Sequence, residues 1–295
     1  MPEQTRHASS FIRRKARVWA LALVVATFFV LLVPHAAAQP PPVVIGQGGK
    51  DVPWVPTPDE LVDTMLEMAH VTPNDVVIDL GSGDGRTVIA AAKLGARAVG
   101  VELEENLVEL SKQRAAEAGV ADRASFLATD LFEFDLSPAT VITMFLLPDI
   151  NLRLRPTLFG LEPGTRIVSN TWDLGGSQRD PDAPGWTPDQ TVQLDPCPSF
   201  CTSLLWIVPA KVAGTWQMSN GELQLEQEFQ MVTGRMRADG RSAEIEEGRL
   251  SGTAITFRVG DTHYSGMISN DTMRGIARTR DDRDDPVDWS ATLTR

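Results

Sequence analysis

The stretch Val76–Ala90, VVIDLGSGDGRTVIA, sets three local signals side by side, and few folds accept all three in that order. Val76, Val77 and Ile78 form a short continuous apolar run, the pattern of a parallel strand buried on both faces, and Asp79 closes it. Gly81, Gly83 and Gly85 allow a tight turn and a close backbone approach to a ligand. Helix-forming residues follow from Thr87 to Lys93, so a ligand would sit near a helix N-terminus, where backbone N–H groups are free. This is a nucleotide-binding corner. Its G-x-G-x-G spacing is not the dinucleotide fingerprint G-x-G-x-x-G, because Arg86 stands where the third glycine belongs; the Gly-Lys-Ser/Thr ending of a P-loop is also missing.

A second apolar, β-branched segment, Arg97–Leu103, carries Glu102 near its end, 21 residues beyond Gly81 (102 − 81). A doubly wound fold places a carboxylate for the ribose hydroxyls about 20 residues past its glycine turn. A third strand, Ala124–Thr129, runs into Asp130, an acid able to accept from an adenine exocyclic amine. Each acid has a plainer reading: Asp79 as a brace of the strand turn, Glu102 as the start of a helix, Asp130 as a turn acid. Three acids at three consecutive strand ends favour the ligand reading. Asp84 and Arg86 have the plainer reading of a solvated charge pair, and Trp54 reads equally well as a core anchor.

The VIDLGSGDG turn, the acid in VGVEL and the ATDLF segment together resemble a class I S-adenosylmethionine-dependent methyltransferase over roughly Thr57–Ala210. DVPWVPTP at Asp51–Pro58, the GSGDGR turn, and FLLP followed by GTRIVSN are similar to the lysine methyltransferases of the ATP synthase c-subunit and adenine nucleotide translocase family. The resemblance implies a Rossmann-like, doubly wound, seven-stranded α/β sheet with S-adenosylmethionine as cofactor. It places Asp79, Gly81, Ser82, Gly83, Asp84, Gly85, Glu102, Asp130 and Leu131 at the cofactor, and Trp54 to Thr57 as a flap over the methyl donor. Where an Asn/Asp-Pro-Pro-aromatic motif would end the fourth strand, this chain has Met144, Phe145, Leu146, Leu147 and Pro148, which argues against nucleobase or glutamine-amide methylation.

A lysine acceptor must be neutral before it attacks, whereas its unperturbed pKa is about 10.4. Apolar walls such as Phe145 and Leu147 favour the neutral amine, and a neighbouring carboxylate orients it. The candidate acceptor-pocket residues are therefore Phe145, Leu147, Pro148 and Asp149, although Asp149 equally fits the first turn of a helix starting there. No catalytic residue is assigned beyond these, and no metal is expected.

The N-terminus belongs to neither domain. Arg13, Arg14, Lys15 and Arg17 precede an apolar run from Val18 to Val33, and Ala36–Ala38 gives an A-x-A cleavage pattern before Gln39. Residues 1–38 read as a signal peptide or N-terminal anchor, which places the rest outside the cytoplasm, as a periplasmic, extracellular or outward-facing anchored protein. Residues 39–50 are a Pro/Gly linker, 51–210 the methyltransferase domain and 211–295 a second domain. Removing residues 1–38 takes away five Lys/Arg and one acid, moving the formal charge from −12 to −16. So acidic a chain is poorly suited to nucleic acid; the expected partners are a protein substrate and the membrane envelope, with oligomeric state left open. Cys197 and Cys201 fit a local disulfide better than a redox or metal site, with free thiols as the alternative.

From Lys211 the rhythm changes to short alternating segments separated by Asn220-Gly221, Asp239-Gly240, Gly260-Asp261 and Asn270-Asp271. This predicts a small antiparallel β-barrel or sandwich, serving as a structural or docking module rather than a ligand cup. The DDRDDP run at Asp281–Pro286 reads as a solvated loop. Two functions compete: methyl transfer to a protein amino group, and an exported non-catalytic module that keeps the fold and uses its barrel for docking.

Overall fold

A computed structural model describes residues 54–175, 185–197, 199–279 and 285–294. The leader, the linker, Asp51–Pro53 and most of the DDRDDP run lie outside the described residues.

The first layer system alternates helix and strand: α1 (Asp59–Met68), β1 (Val76–Leu80), α2 (Arg86–Lys93), β2 (Arg97–Glu102), α3 (Glu105–Glu117), β3 (Ala124–Ala128), β4 (Val141–Met144), α4 (Pro148–Phe159), β5 (Arg166–Asn170), β6 (Gln190–Gln193) and β7 (Thr202–Ile207). The seven strands lie in the order β3-β2-β1-β4-β5-β7-β6. Neighbours among the first five are parallel, and β7 runs antiparallel to both β5 and β6. Strand order reverses between β1 and β4, which opens a crevice beyond their C-terminal ends, the usual ligand position in such sheets. Apolar runs explain the central strands: four of the five residues of β1 and all four of β4 are buried, as strands covered on both faces must be. Helices α1, α2 and α3 cover one face with Leu61, Met65, Val88 and Val108; Leu154 and Leu158 of α4 cover the other with Trp186 and Trp206.

Strand β4 is shorter than its apolar stretch. The ladder ends at Met144, and Phe145–Leu147 leave the sheet to line the crevice. Leu147 is extended and Pro148 opens α4, where its missing N–H costs nothing.

The second sheet contains β8 (Gly214–Met218), β9 (Gly221–Glu228), β10 (Met231–Ala238), β11 (Arg241–Glu244), β12 (Glu246–Ser251), β13 (Ala254–Val259), β14 (Thr262–Ser269), β15 (Thr272–Thr279) and β16 (Val287–Leu293). Eight of them close an antiparallel barrel, since β9 pairs with β10 while β8 pairs with β16; β11 extends the edge of β10. Alternation sends Trp216, Leu223, Leu225, Leu250, Phe257, Met273 and Trp289 inward, so side chains fill the barrel. Gly266 faces Trp289: a Cβ there would lie 2.8 Å from the indole Cζ2.

The barrel docks at the end of the first sheet opposite the crevice. Ala210 N–H donates to Gly252 O at 2.8 Å, Gln230 Nε2 to Thr187 O at 2.6 Å, and Arg249 pairs with Asp189 at 2.6 Å. Trp186 stacks on Phe229 at 5.8 Å, and Phe159 meets both rings edge-on. Lys211 lies over the Phe159 ring and donates to Phe159 O at 2.7 Å. Burial pushes its amine down to about 8. Phe159 ends α4 where the chain returns to the N-terminal edge of β5. The barrel is thus anchored far from the C-terminal strand ends.

Candidate active site

The crevice is a cavity of about 260 Å³ bounded by the ends of β1, β2, β3 and β4, the segment entering α1, and the loops after β5 and before β7. Gly81, Gly83 and Gly85 have φ of 72°, 53° and 78°, the left-handed region open to glycine without steric cost. At Gly83 a Cβ would stand 2.5 Å from Trp54 Nε1, so the indole lies directly on the turn. At Gly85 a Cβ would strike Phe126 and Ser111 at 2.7–2.8 Å, and this glycine is not on the cavity wall. Gly85 therefore serves the packing of α2 against β3 and α3.

The corner is tied to β2 by its backbone. Gly81 and Ser82 N–H both donate to Val101 O, at 2.9 and 3.0 Å. Glu102 Oε2 accepts from Gly83 N–H at 2.9 Å, while Oε1 accepts from Leu103 and Glu104 N–H at 2.8 and 3.0 Å. One carboxylate thus fixes the glycine turn and the start of α3, and still borders the cavity.

Asp79 is buried, and its Oδ1 accepts from Thr143 Oγ1 at 2.7 Å. The two residues are register partners on β1 and β4. Burial pushes its carboxyl up to about 7, against the hydrogen bonds from Thr143 and Thr87 and with help from the Glu102 and Asp84 charges. Asp130 borders the cavity, and its Oδ1 accepts from Phe132 N–H at 2.8 Å, closing a local turn beside Leu131.

Asp84 and Arg86 do not form a solvated pair. Asp84 is 2% exposed and carries Arg86 on both oxygens, at 3.0 and 2.8 Å, and Arg114 of α3 on one. Burial alone would raise its pKa, but the hydrogen bonds and charge of Arg86, then of Arg114, hold it below the ordinary carboxylate range. Arg86 also donates to Thr57 O at 2.9 Å and to Asp59 at 3.1 Å. The pair thereby ties the Trp54–Thr57 segment to the glycine corner. Thr57 is further held by Asn170 Nδ2, at 3.3 Å from its hydroxyl.

Trp54, Thr57, Asp79, Gly81, Ser82, Gly83, Asp84, Glu102, Asp130, Leu131, Phe145 and Leu147 all line this one cavity. Pro148 and Asp149 do not; they form the first turn of α4, as the plainer reading of Asp149 holds. Sequence reasoning missed Trp172, Ile150 and Phe200, which complete the apolar outer wall. Phe200 packs on Phe145 with ring centroids 5.4 Å apart. It lies between Cys197 and Cys201, which form a disulfide.

The cavity fits S-adenosylmethionine on its own chemistry. A buried acid braced by hydroxyls suits an ammonium, a half-buried glutamate suits a diol, and an acid beside Leu131 and Phe132 suits an adenine. The family model described as the ANTKMT methyltransferase domain matches residues 79–181. A protein-lysine N-methyltransferase of Saccharolobus islandicus is 42% identical over 147 residues, spanning 49% of this chain and 86% of that protein. The lysine N-methyltransferase of the ATP synthase c-subunit from Rattus norvegicus is 36% identical over 141 residues, spanning 48% of this chain and 61% of that protein. A solved structure titled as an RNA methyltransferase from Salinibacter ruber, in complex with S-adenosyl-L-homocysteine, is 48% identical, with a TM-score of 0.48 over 54% of this chain and 96% of that one. The chain is an S-adenosylmethionine-dependent methyltransferase and belongs to the family of the ATP synthase c-subunit and adenine nucleotide translocase lysine methyltransferases.

Proposed function

We propose that this methyltransferase N-methylates a lysine side chain of a protein. The observation that carries the reading is the apolar outer wall of the cavity, Phe145, Leu147, Ile150, Trp172 and Phe200, set beside a corner bearing acids at three strand ends. An aliphatic side chain ending in an amine matches such a wall, and low polarity there favours the neutral amine that attack requires. When bound, S-adenosylmethionine supplies an activated sulfonium methyl. Asp79 would hold its ammonium, Glu102 its ribose hydroxyls, and Asp130 with Leu131 its adenine, while Trp54 and Thr57 close over it. The remaining work is positioning: donor and acceptor held in line, with water excluded by the aromatic wall.

The protein acts outside the cytoplasm in this reading, on an envelope or secreted protein. The basic cluster and apolar run before Gln39 support export, as does the Cys197–Cys201 disulfide, since such bonds persist in oxidising compartments.

The test is to label an envelope extract with methyl-labelled donor, hydrolyse it and identify the modified amino acid. Methylated lysine is the expected product; label confined to any other residue, or to nucleic acid, would refute the reading.

A pH dependence follows from Asp79. Burial pushes its carboxyl up to about 7, and the group must be ionised to hold a cation. Affinity for S-adenosylmethionine is therefore expected to fall as pH drops through that value, by about tenfold between pH 8 and pH 6. The same raised pKa makes the empty protein lose stability as pH rises from about 4 towards 7, because the folded state binds the extra proton there. Asp79→Asn removes both effects, and a titration of the variant at the two pH values checks this.

A further inference from the structure

Phe200 is 38% exposed, a costly position for a phenyl ring unless something else covers it. Its backbone has φ 57°, a conformation uncommon for a bulky residue and held only where neighbours fix it. Several neighbours supply that hold. Cys201 is buried and bonded to Cys197; its carbonyl accepts from Leu194 N–H at 3.0 Å; and Thr202, the next residue, pairs with Gln193 in β6. Thr202 O in turn accepts from Thr171 N–H at 2.7 Å, which fastens the tip of the β6–β7 hairpin to the loop after β5. The result aims the ring at Phe145, tilted 56° with centroids 5.4 Å apart, on the wall of the same cavity as Asp79 and Glu102.

We infer that Phe200, held against Phe145 by the Cys197–Cys201 disulfide, is a specificity-determining wall for the methyl acceptor, gripping the methylene chain and methylated ammonium of an extended amine side chain. The inference deepens the lysine reading and rests on it for the chemistry of the occupant. Methylenes gain by covering the exposed ring edge, and a methylated ammonium is attracted to aromatic faces. Trp172 and Leu147 line the same cavity and add apolar surface beside the ring. The disulfide contributes by fixing where the ring points, so Phe200 touches the acceptor and Cys197 and Cys201 act as positioning residues.

The test uses the full chain loaded with S-adenosylhomocysteine and titrated with Nα-acetyl-trimethyllysine methylamide, followed by NMR. Phe200→Ala is expected to weaken binding of this probe by about tenfold, and Phe200→Tyr by no more than about threefold. A Cys197→Ser/Cys201→Ser double variant should move in the direction of Phe200→Ala. All three should bind S-adenosylhomocysteine within about twofold of the parent, since Phe200 lies on the acceptor side. Equal probe binding by the parent and Phe200→Ala, or no saturable binding to the parent, would overturn the inference. Loss of S-adenosylhomocysteine binding in the cysteine variant would overturn the local role of the disulfide. A parent that binds the probe through Phe200 yet yields no methylated lysine in extract labelling would refute the lysine reading and leave this wall standing.

Discussion

Glu102→Ala is expected to lower methyl transfer at least about 100-fold, measured as the initial rate of label incorporation from methyl-labelled donor. The reason is that Glu102 does two jobs. Its oxygens accept from the amides of Gly83, Leu103 and Glu104, and each charge-assisted bond of this kind contributes about 1.5–3 kcal/mol. The same carboxylate borders the cavity, where we place the ribose. Alanine strips the glycine turn of its tie to β2 and removes the diol acceptor together, so the loss falls on cofactor affinity first. Glu102→Gln keeps one acceptor oxygen and should fall between the two. Equal labelling by the parent and Glu102→Ala would mean that transfer does not use this corner at all.

The largest expected effect on stability is at Trp186. Its side chain is fully buried between Phe159, Trp206 and Phe229, at the seam where the barrel meets the sheet. Truncation to alanine leaves a cavity and costs about 3–5 kcal/mol. The indole Nε1 has no hydrogen-bond partner among the described residues, so the loss is one of packing. Chemical denaturation should show the destabilisation, while the folded variant should bind S-adenosylmethionine as the parent does, because the seam lies at the opposite end of the sheet. A large change in affinity would show that the barrel and the cofactor corner communicate.

The corner itself was legible because its signals are local: an apolar run, three glycines and a helix start within fifteen residues, with Glu102 at a spacing that a single βαβ unit dictates. The change to antiparallel alternation after Lys211 was legible for the same reason. What the chain order hides is pairing between distant segments. Thr143 sits in an apolar strand and gives no sign of its role until β4 is laid beside β1, where it becomes the register partner of Asp79. Arg114 looks like an ordinary helix-surface cation, yet it reaches the buried Asp84. Phe200 falls in a Pro/Cys-rich turn with no periodicity, so nothing nearby announces that it faces Phe145, fifty-five residues earlier (200 − 145). Pro148 and Asp149 follow Leu147 directly in sequence, yet the first turn of α4 carries them off the cavity wall.

The proposed reaction and the acceptor wall both depend on one claim, that this corner holds a methyl donor. Isothermal titration of the full chain with S-adenosylmethionine at pH 8 tests it most directly. The expected result is saturable binding at one site per chain, weakened about tenfold at pH 6 and abolished by Glu102→Ala. No saturable binding at either pH would contradict it.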